Sequence, residues 1–459
     1  MKNTMRFLLC ILVFAVFSWN LSANSAKTEW NGTDSSGAQV LDEDCPVIVQ
    51  HEDLTFDIRS FPGIGTNAGD ATVEAAYTFH NPADYAVDAR LAFPFGTLPE
   101  YPVFEADDMS YFGKVCKVLT DGKDTDSELH FTFHPRGSSF SVEEDLPRLK
   151  EGYNEDGFWK KDQIVTKYTW HWDSVPDTDG VYKIGNITVS ADPQKTRLLD
   201  GTNDGGSYEN AKAELHFYYR DHVTPVLYVA GEQPEFSDWT FRLSVGEGEP
   251  DCEISLQNTE VMTLEDYVLS QERPLQEISD SDWFNIMTAE FREMNDGTVM
   301  SPAYEYRVAA EDLLGWCVYS LHFEPGQTLL NSVTVPMYPA VETAYEPPLH
   351  TYTYLLTPAS TWKSFGSLDI QINTPFEVYQ KASALEKTDA GYHIHYDELP
   401  QKDFVFRLSE SANPVKQMRS GDYLLMLIMI PPLLLLVLVI LFVRFLLNKL
   451  FSRSRRSDA

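Results

Sequence analysis

Apolar and polar residues alternate in short runs along most of the chain. In residues 71–79 (ATVEAAYTF), Val73, Ala75, Tyr77 and Phe79 share one face; in 86–95, Val87, Ala89, Leu91 and Phe93 do the same. Successive strand side chains point to opposite faces, so each run predicts a half-buried strand. The segment between them, His80-Asn81-Pro82-Ala83-Asp84-Tyr85, is rich in turn formers, and the matched faces predict an antiparallel hairpin. The pattern recurs at 114–119, 129–133, 163–172, 181–190, 213–219 and 240–245, and again at 352–356, 368–372, 392–396 and 404–408. Asp121-Gly122 is a hairpin signal after the first of these. Glu324-Pro325-Gly326-Gln327 predicts a turn joining two strands within 316–335. Helical spacing shows in 281–294, where Trp283, Met287, Phe291 and Met294 share a face that should pack on a sheet. Ser141-Val142-Glu143-Glu144 has capping-box spacing, and Pro147 limits the length of any helix begun there.

These elements predict a mainly β protein: two tandem antiparallel β-sandwich modules with one or two short helices, plus one C-terminal transmembrane helix. The polar run Gly246-Glu247-Gly248-Glu249-Pro250 is read as the boundary, giving modules at 45–248 and 249–410, the second carrying a helix at 281–295. Residues 26–44 read as a flexible N-terminal segment and 411–422 as a tether.

Two longer apolar runs set the expected topology. Lys2 and Arg6 precede an apolar stretch at 7–17, and Ala23 and Ser25 satisfy the small-x-small rule, so 1–25 reads as a signal peptide. Residues 423–443 carry no charge. As a helix they would extend ~31 Å, enough to cross a hydrocarbon core, with a kink at Pro431-Pro432. The tail 444–459 holds Arg444, Lys449, Arg453, Arg455 and Arg456, which places it in the cytoplasm. The expectation is a single-pass cell-membrane protein with its N-terminal ectodomain outside, attached through 423–443.

The 459 residues carry 35 basic and 69 acidic side chains, a net charge of −34. Between 26 and 443 the balance is more acidic still, with 28 basic against 68 acidic residues. Such a surface repels phosphate backbones, so nucleic-acid binding is not expected.

Residues 71–123 combine the paired strands, a Phe93-Pro94 strand end and a later strand running into Asp121-Gly122-Lys123. This layout resembles the vault-protein/inter-alpha-trypsin (VIT) type of β-sandwich. Over about 45–410, including Thr351–Leu356 and Trp362-Lys363-Ser364-Phe365-Gly366, the chain is similar to surface proteins of unknown function from Gram-positive anaerobes. The resemblance implies a sandwich fold and brings no catalytic residue. The Asp-x-Ser-x-Ser motif of the adhesion domain that often follows such modules is missing from the sequence.

Four cysteines follow the signal: Cys45, Cys116, Cys252 and Cys317. Their even number and the expected oxidising compartment suggest disulfides, and their isolation argues against a zinc site. Nearest pairing would join Cys45 to Cys116 and Cys252 to Cys317; free thiols are the other outcome. His393 and His395 flank Ile394 and point the same way, yet no third ligand is identifiable, so a solvent-facing pair is expected. Asp200 and Asp204, and likewise Asp177 and Asp179, imitate the start of calcium loops but lack the later acidic ligand. In Trp170-His171-Trp172 the two indoles share a strand face, with core packing as the default role. P-loop, Gly-x-Ser-x-Gly and His-Glu-x-x-His motifs do not occur; His51-Glu52 begins the last and continues as Asp53-Leu54-Thr55. No cofactor is implied. The sequence therefore points to a non-enzymatic surface protein that binds an extracellular protein or glycan, or serves envelope structure. An extracellular tethered glycan or peptidoglycan hydrolase is the alternative.

Overall fold

The computed structural model describes residues 29–417 and 439–444, apart from 31, 43, 63–69, 97–115, 136–137, 156, 173–182, 202–204, 210–211, 219–223, 235–239, 246–253, 295–307 and 381–383. It is mainly β. An eight-stranded sheet runs in spatial order Glu386–Lys387, Gly391–Tyr396, Phe365–Asn373, Ile48–Ser60, Asp70–His80, Thr328–Pro336, Lys117–Thr120, Lys123–Asp124. A four-stranded sheet runs Gln39–Val40, Val87–Gly96, Leu313–Phe323, Ser127–Phe133. A third is built around Leu349–Leu355 and Phe404–Ser409.

These sheets correct the tandem division at 246–250. Ile48–Ser60 pairs in parallel with Phe365–Asn373, and Leu313–Phe323 lies between Val87–Gly96 and Ser127–Phe133. The contiguous unit is instead an insertion. Residues 164–263 supply every strand of two more four-stranded sheets, with Ile254–Thr263 pairing back onto Ile164–Trp172 across the proposed boundary. A Gly- and Glu-rich run marks a loop, but no local signal says whether a loop separates two cores.

Where they fall within the described residues the predicted strands form, but the expected hairpin at 71–95 does not. Asp70–His80 lies in the eight-stranded sheet and Val87–Gly96 in the four-stranded one, so the turn between them is an arch from sheet to sheet. Leu313–Phe323 and Thr328–Pro336 make a second arch of the same kind. Asn81 locks the two together. Fully buried, it donates through Nδ2 to the carbonyls of Tyr85 and Glu324, at 2.9 and 3.1 Å, and its N–H bonds Gln327 O at 2.9 Å. Matched apolar faces suit a hairpin and an arch equally, because both bury the same side chains. The Asp-Gly turn is as expected: Asp121 and Gly122 have φ of 50° and 75° between Lys117–Thr120 and Lys123–Asp124.

The segment read as flexible is ordered over 32–40. Ser35–Ser36 pairs in parallel with Leu349–Leu355, and Gln39–Val40 pairs with Val87–Gly96. Ser35, Ser36, Ala38 and Gln39 are buried. Ala38 N donates to the Tyr77 hydroxyl, and Trp362 Nε1 donates to Ala38 O, both at 3.0 Å. The tether is also docked in part: Val415–Lys416 pairs with Tyr345–Glu346.

The helix Asp280–Met294 forms as expected, with Trp283, Met287 and Phe291 buried. Asp282 fixes it to a sheet by accepting the N–H of Phe131 at 3.2 Å. The short turn at Val142–Asp145 lacks the expected cap from the Ser141 side chain. The signal segment lies outside the described residues, as do 423–438. Residues 439–444 are helical, with Val439 to Val443 exposed. Among the described residues no helix is long and apolar enough to cross a membrane.

Candidate metal centre

Three adjacent strands bring His51, Asp53, Asp369, His393 and His395 onto one side of the eight-stranded sheet, and Asp397 follows directly after the third. Register explains the meeting. Phe365–Asn373 sets Ser367 opposite His51 and Asp369 opposite Asp53 on one edge, and Asp369 opposite His395 on the other. Asp369 is therefore the centre of a small polar grid.

His51 reaches this grid through a β-bulge. Pairing of Ile48–Ser60 with Asp70–His80 slips between Val49 and His51. Val49 is buried before the slip, and Glu52, Leu54, Phe56 and Ile58 are buried after it. The extra residue changes parity and turns His51 and Asp53 outward, as bulges do beside functional sites. Gly366 makes room for it: a Cβ there would stand 2.0 Å from Gln50 O. Gly366→Ala is accordingly expected to cost roughly 2 kcal/mol by overpacking, read as a lower denaturant midpoint with unchanged slope.

The distances are those of a connected cluster. His51 Nε2 lies 3.2 Å from Asp53 Oδ1 and 3.7 Å from Asp369 Oδ2. His393 Nε2 lies 3.0 Å from Asp369 Oδ1, and His395 Nδ1 lies 3.0 Å from both Asp369 oxygens. His395 Nε2 lies 3.3 Å from Asp397 Oδ1, and His51 Nδ1 lies 2.8 Å from Ser367 Oγ. Partial burial works to raise the Asp369 pKa, but the bonds from His395 and His393 outweigh it and hold the carboxyl below its ordinary value. The bond to Asp369, then that to Asp397, raises His395. His51, Asp53 and Asp369 each offer a ligand atom within 4.8 Å of the other two.

The solvent-facing pair His393 and His395 thus acquires carboxylate partners. The acidic turns gain no support: Asp177, Asp179 and Asp204 lie outside the described residues, and Asp200 sits in the strand Thr196–Gly201. Trp170 is buried and stacks with Tyr168, as expected for core packing. Cys116 bonds Cys317, with Cα atoms 6.7 Å apart, while Cys45 is free and half-buried. This replaces the nearest-neighbour pairing, because cross-sheet proximity, not chain proximity, brought the sulfurs together. Cys252 lies outside the described residues.

A second cluster has the order of contacts of a catalytic triad. His134 Nδ1 lies 3.1 Å from Asp145 Oδ1, and Ser138 Oγ lies 3.2 Å from His134 Nε2. The Ser138 hydroxyl, however, donates to Pro135 O at 2.5 Å, and Asp145 also accepts from Ser141 N and Arg148. The serine proton is engaged by a carbonyl instead of the imidazole, so the group clasps a loop.

Sequence reasoning missed His51, Asp53 and Asp369. Each half of the signal was visible, as His51-x-Asp53 and His393-x-His395-x-Asp397 at strand spacing. The pairing through Phe365–Asn373 that joins them was not.

No family model matches the chain, and no curated protein matches it. Among solved structures it is similar to one titled a "putative nutrient binding protein" from Legionella pneumophila, at 10% identity and a TM-score of 0.32, covering 83% of this chain and 72% of that one. A TM-score that low carries no argument about fold or ligand.

Proposed function

We propose that this chain is a non-enzymatic, single-pass protein of the cell surface, which presents its β-sheets outside the membrane to bind an extracellular protein or glycan. The Cys116–Cys317 disulfide carries the reading, because such bonds persist in oxidising compartments. The basic-then-apolar start, the uncharged run 423–443 and the basic tail support the same orientation. The sheets are the presented part, and 423–443 is the anchor.

Protease added to intact cells tests this. The expected result is loss of the region from 26 to about 415, with a short membrane-bound fragment containing 423–459 remaining. An ectodomain that stays protected until the cells are lysed overturns it.

A further inference from the structure

We propose that His51, Asp53 and Asp369 hold one divalent first-row transition-metal ion, of the zinc(II) class, on the outer face of the eight-stranded sheet. The ligand atoms are His51 Nε2 and one oxygen from each carboxylate. Zinc takes nitrogen and oxygen ligands at about 2.0–2.2 Å, so neighbouring ligands in a tetrahedron stand about 3.4 Å apart. The two separations from His51 Nε2, 3.2 and 3.7 Å, bracket that spacing. One imidazole and two carboxylates balance a dication, and the absence of a thiolate from the set disfavours soft ions such as copper(I).

The surroundings are those of an oriented site. Ser367 Oγ engages His51 Nδ1, which leaves Nε2 as the atom facing the carboxylates. His393 and His395 both bond Asp369 and fix its plane. The bulge at Gln50 directs His51 and Asp53 to the same side as Asp369. Three strands of one sheet supply the set, so the spacing is held by backbone pairing. Asp53 is exposed (62%) and Asp369 is 28% exposed, so an ion can enter from solvent and keep water or a partner's group in its remaining position.

The test uses the full-length chain in detergent micelles, stripped with chelator and dialysed against zinc(II), with calcium(II) in separate samples as a control for diffuse binding to acidic side chains. The expected result is one zinc per chain that survives excess calcium. Asp53→Asn and His51→Gln should each weaken zinc binding at least tenfold. His395→Gln should weaken it about tenfold by loosening Asp369. His322→Gln, in a separate exposed group with Asp88 and Glu324, should leave it unchanged. Asp53 is exposed, so its substitution leaves folding intact, and a thermal melt of each variant confirms this. Failure to retain zinc, native-like zinc retention by Asp53→Asn or by His51→Gln, or displacement of zinc by excess calcium each overturns the site. None of these outcomes bears on surface location, which the protease experiment decides alone.

Discussion

Removing the Cys116–Cys317 disulfide, by the double substitution to alanine, is expected to destabilise the protein by about 5 kcal/mol. The bond closes a loop with a sequence separation of 201 residues. In the chain-entropy description, loss of a cross-link over so long a loop releases about 5 kcal/mol of denatured-state entropy. Its location makes the loss specific. Cys317 is buried in Leu313–Phe323, between Val87–Gly96 and Ser127–Phe133, whereas Cys116 immediately precedes Lys117–Thr120 of the eight-stranded sheet. The bond therefore staples two sheets whose arches already meet at Asn81. Denaturant melts of native and double-alanine protein measure the effect, and peptide mapping without reductant should recover Cys116 linked to Cys317. A loss under 1 kcal/mol would mean that arch contacts and the shared core hold the sheets without the cross-link.

Much of the fold was legible because alternation is local. The inward faces of 71–79, 86–95 and 368–372 follow from period two alone, and Val73, Phe93 and Ile370 are buried as that pattern requires. Partner choice is not local. Asp70–His80 and Val87–Gly96 have the faces of a hairpin and join different sheets, and the polar run at 246–250 has the composition of a domain linker while sheets continue across it. The candidate site shows the same division. His393 and His395 were visible on one strand, but their partner Asp369 stands on another strand in ordinary strand spacing. His51 was hidden further, since a bulge changes the parity that sequence alternation assumes. Asn81, placed in a turn by its neighbours, turned out to be the buried tie between two arches.

The same bulge predicts a pH effect on the opposite face. As His51 and Asp53 turn out, Glu52 turns in and is 1% exposed. Burial raises its pKa from 4.5 to about 7, opposed in part by bonds from Tyr77 and Tyr354. The Tyr354 hydroxyl donates to Oε1 at 3.4 Å, and Tyr77 is held in place by the N–H of Ala38. A carboxyl whose pKa is higher folded than unfolded binds more protons in the native state, so it favours folding at low pH. That contribution is complete below about 4.5 and is lost as pH rises through about 7. By pH 9 ionised Glu52 should cost about 3 kcal/mol relative to its protonated form. Glu52→Gln keeps the shape and the acceptor for both tyrosines without the charge. It is expected to come within about 1 kcal/mol of the native protein near pH 5 and to exceed its stability by up to about 3 kcal/mol at pH 9. Glu290, also buried with a pKa raised to about 8 chiefly by burial, adds a similar slope in both proteins and cancels in the difference. Denaturant midpoints of the two proteins across pH 5–9 give the measurement. Curves that stay parallel across that range would show that the fold does not raise the Glu52 pKa.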